Sequence, residues 1–152
     1  MQRVKLLFEE YKDMVYRVAL SYTGNTHDAQ DVCQEVFLRL IKWIDRIKEG
    51  AERGWLTKVT VNCCKNLRSS YSRCNTRELL ETDAVSQPND DSLIETIMLL
   101  PGEYRIVVYL FYYEEYSTKE IAKLLRVSQS TVTTRLHRAR GQLRERLKED
   151  LE

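Results

Sequence analysis

A segment that begins at Ser128 carries the residue types best suited to binding DNA. Between its apolar positions lie amides, hydroxyls, guanidinium groups and an imidazole: Gln129, Ser130, Thr133, Thr134, Arg135, His137 and Arg138. Amides and hydroxyls both donate and accept hydrogen bonds, which the base edges of a major groove require, and guanidinium groups suit phosphates. The pattern predicts a helix that binds duplex DNA. The alternative is an ordinary solvated helix, and for His137 plain solvation is as well supported as contact with DNA.

A second group of basic and amide residues recurs at spacings of three and four: Lys58, Asn62, Lys65, Asn66 and Ser69. This spacing places side chains on one face of a helix. Lysine suits phosphates and an amide suits the edge of an unpaired base, so the face predicts binding of a single strand. The loop Lys48–Gly54 lies directly before this helix, and its glycines let a base approach the backbone. The alternative is again a solvated helix face.

An acidic group follows Thr26 in the sequence: Asp28, Asp31, Gln34 and Glu35. A helix amino terminus alone favours acids only in its first turn, whereas this group extends over two turns. We expect the four side chains on the outer face of a helix over residues 27–46, where they would bind a basic protein partner. Simple solvation of that face is the alternative.

Catalysis and metal binding find no support in the sequence. The four cysteines, Cys33, Cys63, Cys64 and Cys74, have no C-x-x-C spacing, and His27 lies far from His137. We see neither an acid pair nor a nucleophile beside a base, so we expect no enzyme, no cofactor and no metal site. No apolar run approaches the ~20 residues of a membrane helix, and the amino terminus does not resemble a signal peptide. We therefore expect a cytoplasmic protein without membrane insertion.

The composition favours helices, because the 152 residues include only five glycines and two prolines. Apolar residues at spacings of three and four predict helices over 3–22, 27–46 and 55–70, which would form a three-helix block. Residues 71–92 lose this periodicity and are acidic, which predicts a flexible linker. The sequence thus predicts an all-α protein with two small helical domains joined by that linker.

The second block begins with helices over 92–99 and 101–113 and then shows helix-turn-helix signals. Ser117 and Glu120 form a capping box, which opens a short helix. Arg126 and Val127 make the turn, and Ser128 caps a second helix with an apolar stripe. Residues 126–148 carry seven basic residues and one acid, as suits a phosphate-binding helix. The alternative is an ordinary αα-hairpin.

Several segments, in order, resemble a known family. Residues 28–37 resemble the region 2 signature of bacterial sigma-70-type factors, and residues 55–66 resemble its promoter-melting and −10-reading helix. Residues 100–105, 116–122, 127–132 and 135–140 resemble region 4. The chain has no segment that resembles region 1.1 or region 3. In this respect it resembles the short sigma factors of the extracytoplasmic-function (ECF) group. Arg126 stands where relatives often carry glycine.

The resemblance implies a sigma factor with region 2 at 1–70, an acidic linker at 71–92 and region 4 at 93–152. Its partners would be promoter DNA, core RNA polymerase and an anti-sigma factor. The acidic group, Asp28, Asp31, Gln34 and Glu35, would dock on the β′ clamp helices, and the helix 101–113 would help bind the β flap. The linker would pass near the active-site and RNA-exit channels.

The resemblance also implies the DNA contacts. Lys58, Asn62, Lys65 and Asn66, with the Lys48–Gly54 loop, would hold the melted −10 strand and a flipped base. Thr133, Thr134 and His137 would read the −35 duplex, with Arg135 and Arg138 on phosphates and Gln129 and Ser130 at the start of the same helix. The alternative is a stand-alone helix-turn-helix regulator that binds duplex DNA tightly without polymerase.

Overall fold

The computed structural model describes residues 2–74 and 92–151, with side chains for 2–67 and 95–148. The chain divides into two compact units, Met1–Asp83 and Ala84–Glu152. Every regular element in the two described ranges is helical, which confirms the predicted all-α class with two domains. Residues 75–91 of the predicted linker lie outside the described part of the chain, while its ends, residues 71–74 and 92, belong to helices. Among the described residues, no helix is both long and apolar enough to cross a membrane.

The first unit is a bundle of three helices: α1 (Gln2–Thr23), α2 (Thr26–Trp43) and α3 (Glu52–Cys74). A 3-10 turn, Ile44–Arg46, follows α2. Gly24, at φ 73°, lets the chain turn between α1 and α2. Asn25 then caps α2, since its Oδ1 accepts a hydrogen bond from Asp28 N at 3.0 Å. Aliphatic side chains from all three helices form the core, among them Val15, Val18, Val36, Leu40, Leu56 and Val61.

The third helix is longer than the predicted one at both ends, and its buried face includes polar residues. It begins three residues before Trp55 and ends four residues after Ser70. Trp55, Val59 and Leu67 are only half-buried, whereas Thr57 and Thr60 are fully buried. Their hydroxyls donate to the carbonyls of Arg53 (2.9 Å) and Leu56 (2.6 Å) one turn earlier, which removes the cost of burying them.

The second unit contains α4 (Ser92–Met98), α5 (Gly102–Val108), α6 (Thr118–Leu125) and α7 (Gln129–Leu151). The predicted continuous helix 101–113 is instead α5 followed by a π-helical turn, Tyr109–Tyr113. Glu114 N donates to Tyr109 O at 3.2 Å, which accommodates one extra residue in this turn. Leu110 lies in the core, whereas Tyr112 and Tyr113 are exposed.

The helix-turn-helix has the predicted local structure. Ser117 Oγ accepts from Glu120 N at 3.1 Å, and Glu120 Oε1 accepts from Ser117 N at 2.9 Å, so the capping box is present. Arg126, at φ 60° and ψ 45°, ends α6 in the left-handed conformation. Ser128 Oγ accepts from Thr131 N at 3.1 Å and so caps α7. Ile121, Leu125, Val132, Leu136 and Ala139 bury the contact between the two helices.

Candidate interfaces for DNA and for a protein partner

The predicted DNA-reading residues share one surface of α7. Six of them are exposed: Gln129, Ser130, Thr133, Thr134, His137 and Arg138. Two of these carry contacts that shape the surface itself. Gln129 Nε2 donates to Thr118 Oγ1 at 2.9 Å and joins the starts of α6 and α7, and Thr133 Oγ1 donates to Gln129 O at 3.1 Å. Within the described residues no ion pair holds Arg138, so its guanidinium is available to a phosphate.

Two other arginines of this helix are engaged within the unit. Arg135 is 24% exposed and pairs with Glu103 of α5, with an N–O distance of 3.6 Å. Arg140 Nε donates to Tyr112 Oη at 2.6 Å, and its guanidinium lies 5.8 Å from the centre of the Phe111 ring. Arg140 therefore lies against the π turn, and Arg135, which was predicted to bind a phosphate, is paired with an acid of its own unit. A shallow groove between α5 and α7 is lined by Glu103, Tyr104, Ser130, Thr131, Thr134, Arg135 and Arg138.

The acidic face of α2 contains three of its four predicted residues. Asp31, Gln34 and Glu35 are exposed, but Asp28 is only 7% exposed, so its predicted place on the outer face is wrong. The reason is helical geometry. Asp28 lies four and eight residues before Val32 and Val36, which are buried, and therefore shares their inward-facing side.

The exposed face of α2 also continues further than the sequence analysis recognised. Leu38 is 62% exposed, and Ile41 is 46% exposed. Together with Asp31, Gln34 and Glu35 they follow helical spacing, so one face is acidic in its first half and apolar in its second. The spacing of residues 31, 34, 38 and 41 was the signal that could have revealed it. Glu35 Oε2 accepts from Arg39 Nε at 2.8 Å, which raises the pKa of Arg39.

The predicted strand-binding residues of α3 also lie near one another. Lys58 and Asn66 are exposed, and Asn62 and Lys65 are half-buried. The side chain of Ser69 lies outside the described residues. The turn before α3 was predicted from its glycines alone, and it is held by two residues that the sequence analysis missed, Arg3 and Glu52. No local pattern could have identified Arg3, because its partners lie 41 to 49 residues further along the chain.

Three cysteines of the first unit are shielded from solvent: Cys63 and Cys64 are buried, and Cys33 is half-buried. Burial raises the pKa of Cys33 to about 11 and also raises the pKa of Cys63 and Cys64 above the ordinary thiol value. These groups are therefore protonated at neutral pH and are weak nucleophiles and ligands. Among the residues that the structure describes, no cluster of His, Cys, Asp and Glu could hold a metal ion.

Comparison with protein families decides the identity of the two units. Residues 7–74 match the model for sigma-70 region 2, and residues 90–143 match that for sigma-70 region 4. The ECF RNA polymerase sigma factor SigW of Bacillus subtilis is 31% identical, over 91% of this chain and 86% of SigW. The chain belongs to the sigma-70 family. The resemblance noted in the sequence is confirmed, although the domain limits at residues 70 and 93 stay predictions.

Further relatives assign this sigma factor to the ECF type. SigE of Mycolicibacterium smegmatis, named an ECF sigma factor, is 34% identical over 93% of this chain, which spans 60% of SigE. SigL of Mycobacterium tuberculosis, also so named, is 32% identical over 96% of this chain and 89% of SigL. The protein is thus an RNA polymerase sigma factor of the ECF type, and the stand-alone regulator is not favoured.

Solved structures share the fold. The sigma factor RpoE of Bartonella quintana, solved with the anti-sigma factor NepR, has a TM-score of 0.74 at 18% identity and covers 97% of this chain and 98% of its own. CnrH, solved with the cytosolic domain of CnrY, has a TM-score of 0.65 at 22% identity, over 99% and 91% of the two chains. At these identities the comparison establishes the fold of the sigma factor.

Proposed function

We propose that this ECF sigma factor binds core RNA polymerase through α2 and holds the −10 and −35 promoter elements with α3 and α7. The observation that carries the proposal is the presence of three chemically different surfaces in one sigma-family chain. One surface is acidic and apolar, and two are basic and rich in amides or hydroxyls. A regulator that used only its helix-turn-helix would need neither the α2 face nor the α3 face.

The α2 face would dock on the β′ clamp helices of the polymerase. Asp31, Gln34 and Glu35 would provide charge complementarity, which favours encounter and register. Leu38 and Ile41 extend this face with exposed apolar area, whose burial at an interface would supply the larger part of the binding free energy. Asp28 has no place in this contact, because its side chain is buried in the free protein.

The α3 face would hold the melted −10 strand. Lys58 and Lys65 would neutralise phosphates, while Asn62 and Asn66 would donate and accept hydrogen bonds at base edges. Asn62 and Lys65 are half-buried, so their side chains have fewer accessible rotamers and less entropy to lose when they bind. The turn that precedes α3 would accept a base that leaves the stack.

The α7 face would bind the −35 duplex. Thr133, Thr134 and His137 would contact base edges, and Arg138 would bind a phosphate. Gln129 and Ser130 lie at the amino end of α7, where free backbone N–H groups favour a phosphate. Arg135 could reach the duplex only after its pair with Glu103 opens. The exposed Tyr112 and Tyr113 of the π turn supply an aromatic surface that would contact the β flap.

The remaining expectations also belong to this proposal. The protein would act in the cytoplasm, as an initiation factor rather than an enzyme. An anti-sigma factor would bind it, since two structures of the same fold are described as complexes with such factors or with a cytosolic domain.

The test is to mix the purified chain with core polymerase and to map transcript starts over a genomic library. The proposal expects a stable complex and transcript starts at sites that share −10 and −35 sequences. Core polymerase alone should give no such starts. A chain that ignores the polymerase and binds intact duplex tightly by itself would overturn the proposal and restore the regulator.

A further inference from the structure

Arg3, at the amino end of α1, contacts two carbonyls in the segment between α2 and α3 and the side chain of the first residue of α3. Its Nη1 donates to Ile44 O at 3.0 Å, and its Nη2 donates to Ile47 O at 2.9 Å and to Glu52 Oε2 at 3.1 Å. A guanidinium group suits this task because its planar fork can bind carbonyls and a carboxylate together. Lysine carries the same charge but cannot reproduce that geometry.

Glu52 completes the contact from the other side. Its Oε1 accepts from Gly50 N at 2.7 Å while its Oε2 receives Arg3. Ala51 N also donates to Lys48 O at 3.0 Å, and Gly50 has φ 91°, so residues 48–51 form a turn with glycine in the third position. Hydrogen bonds from its own N–H, from Arg3 and from Gly50 lower the pKa of Glu52 below its ordinary value.

Packing does little to hold this turn. Lys48, Glu49, Gly50 and Ala51 are all exposed, and a Cβ built on Gly50 would meet nothing within 4 Å. Ile47 is the buried residue that precedes the turn. The turn closes through its own hydrogen bond from Ala51 to Lys48, but its position relative to the helices depends on the Arg3 and Glu52 hydrogen bonds. Their loss would leave exposed backbone without a defined position.

We propose that Arg3, with Glu52, is a positioning residue that fixes the turn Lys48–Ala51 for recognition of a −10 base. The inference rests on the proposed function, in which this turn and α3 hold the melted strand. Arg3 lies four residues before the segment that matches region 2, so membership of the family does not assign it this role. A base bound by backbone groups is discriminated only while those groups keep their positions.

The experiment uses holoenzyme made with the full chain, on templates that carry a mapped promoter with its −10 element randomised. Four proteins are compared: wild type, Arg3→Met, Arg3→Lys and the control Lys5→Met, which removes an exposed charge from the same end of α1. The measured quantity is the ratio of transcription with the best −10 base to transcription with the worst. For Arg3→Met we expect this ratio to fall about tenfold, the size of one well-placed base contact. For Arg3→Lys the ratio should fall less, and for Lys5→Met it should match wild type.

Three controls separate positioning from general instability. Arg3→Met should keep wild-type preference on a −35 library and wild-type binding to core polymerase, and thermal melting reports its folding. If Arg3→Met unfolds, Glu52→Gln replaces it, since the amide oxygen can still accept from Gly50 while the charge facing Arg3 is lost. Lower total transcription with an unchanged −10 preference would overturn the inference. If wild type itself starts no transcripts, the proposed function fails and the inference fails with it.

Discussion

The two units of this sigma factor present their candidate DNA surfaces in different ways. In the second unit the surface lies on one helix, whose start is fixed by contacts close in sequence: the Ser117–Glu120 box, the Arg126 turn and the Ser128 cap. In the first unit the surface combines a helix with a turn that Arg3 holds from 41 to 49 residues away. A duplex groove accepts a helix as a rigid body, whereas a flipped base needs a formed pocket. The difference suits these two targets.

The largest expected effect concerns the face of the first unit that we propose to bind polymerase rather than DNA. Replacing both Gln34 and Glu35 by Lys should abolish co-purification with core polymerase, because two cations would replace an amide and a carboxylate in an acidic docking face. Helix content by circular dichroism should stay unchanged, since both side chains are exposed.

A matched control is the pair Gln2→Lys and Glu9→Lys, which makes the same chemical change at exposed positions of α1. The control should bind polymerase as wild type does. If the α2 variant retains its binding, the docking assignment is wrong and the first unit contacts the polymerase elsewhere.

The second prediction tests whether the first unit binds a single strand. Asn62→Ala should reduce open-complex formation on duplex promoters about tenfold, because hydrogen bonds to a base are lost. Permanganate reactivity of melted thymines measures this step. On a template with a preformed bubble the variant should still bind less well, while its affinity for −35 duplex should not change. Normal strand separation would rule out the strand-holding role of Asn62.

The third prediction distinguishes two arginines on one helix of the second unit. Arg138→Ala should weaken binding to −35 duplex severalfold for every sequence and reduce the salt slope by about one, as expected for one lost phosphate contact. Arg140→Ala should leave the slope unchanged, since its guanidinium lies against Phe111 and Tyr112. A changed base preference in Arg138→Ala would contradict the phosphate role, and equal slopes for both variants would contradict the distinction.

The smallest expected effect tests whether the turn of the second unit depends only on the backbone conformation of Arg126. Arg126→Gly should raise the free energy of unfolding by about 1 kcal/mol or less, because a left-handed residue with a side chain costs energy that glycine avoids. Thermal melting of the full chain measures it, and Lys123→Gly, inside α6, should instead lower stability by about 1 kcal/mol. Destabilisation by Arg126→Gly would mean that the arginine side chain contributes to the turn.

Local signals in the sequence account for what was predicted correctly. The capping box, the turn at Arg126 and the Ser128 cap each depend on residues within one helical turn. The errors have a common cause as well. Asp28 was assigned to the outer face from its charge, although its spacing from Val32 and Val36 places it inside. The π turn at Tyr109–Tyr113 was missed because a single inserted residue leaves the apolar pattern looking helical.

The sequence by itself determined the helical class, the helix-turn-helix, the family and most residues of the two candidate DNA faces. These depend on periodicity and capping, whose range is a few residues. Tertiary structure decided which of those side chains are available to bind DNA. The reason is that contacts between distant segments engage some of them. Glu103 engages Arg135, Tyr112 engages Arg140, and Arg3 holds the turn before α3. Such pairs meet only after the helices pack, so no spacing along the chain could have predicted them.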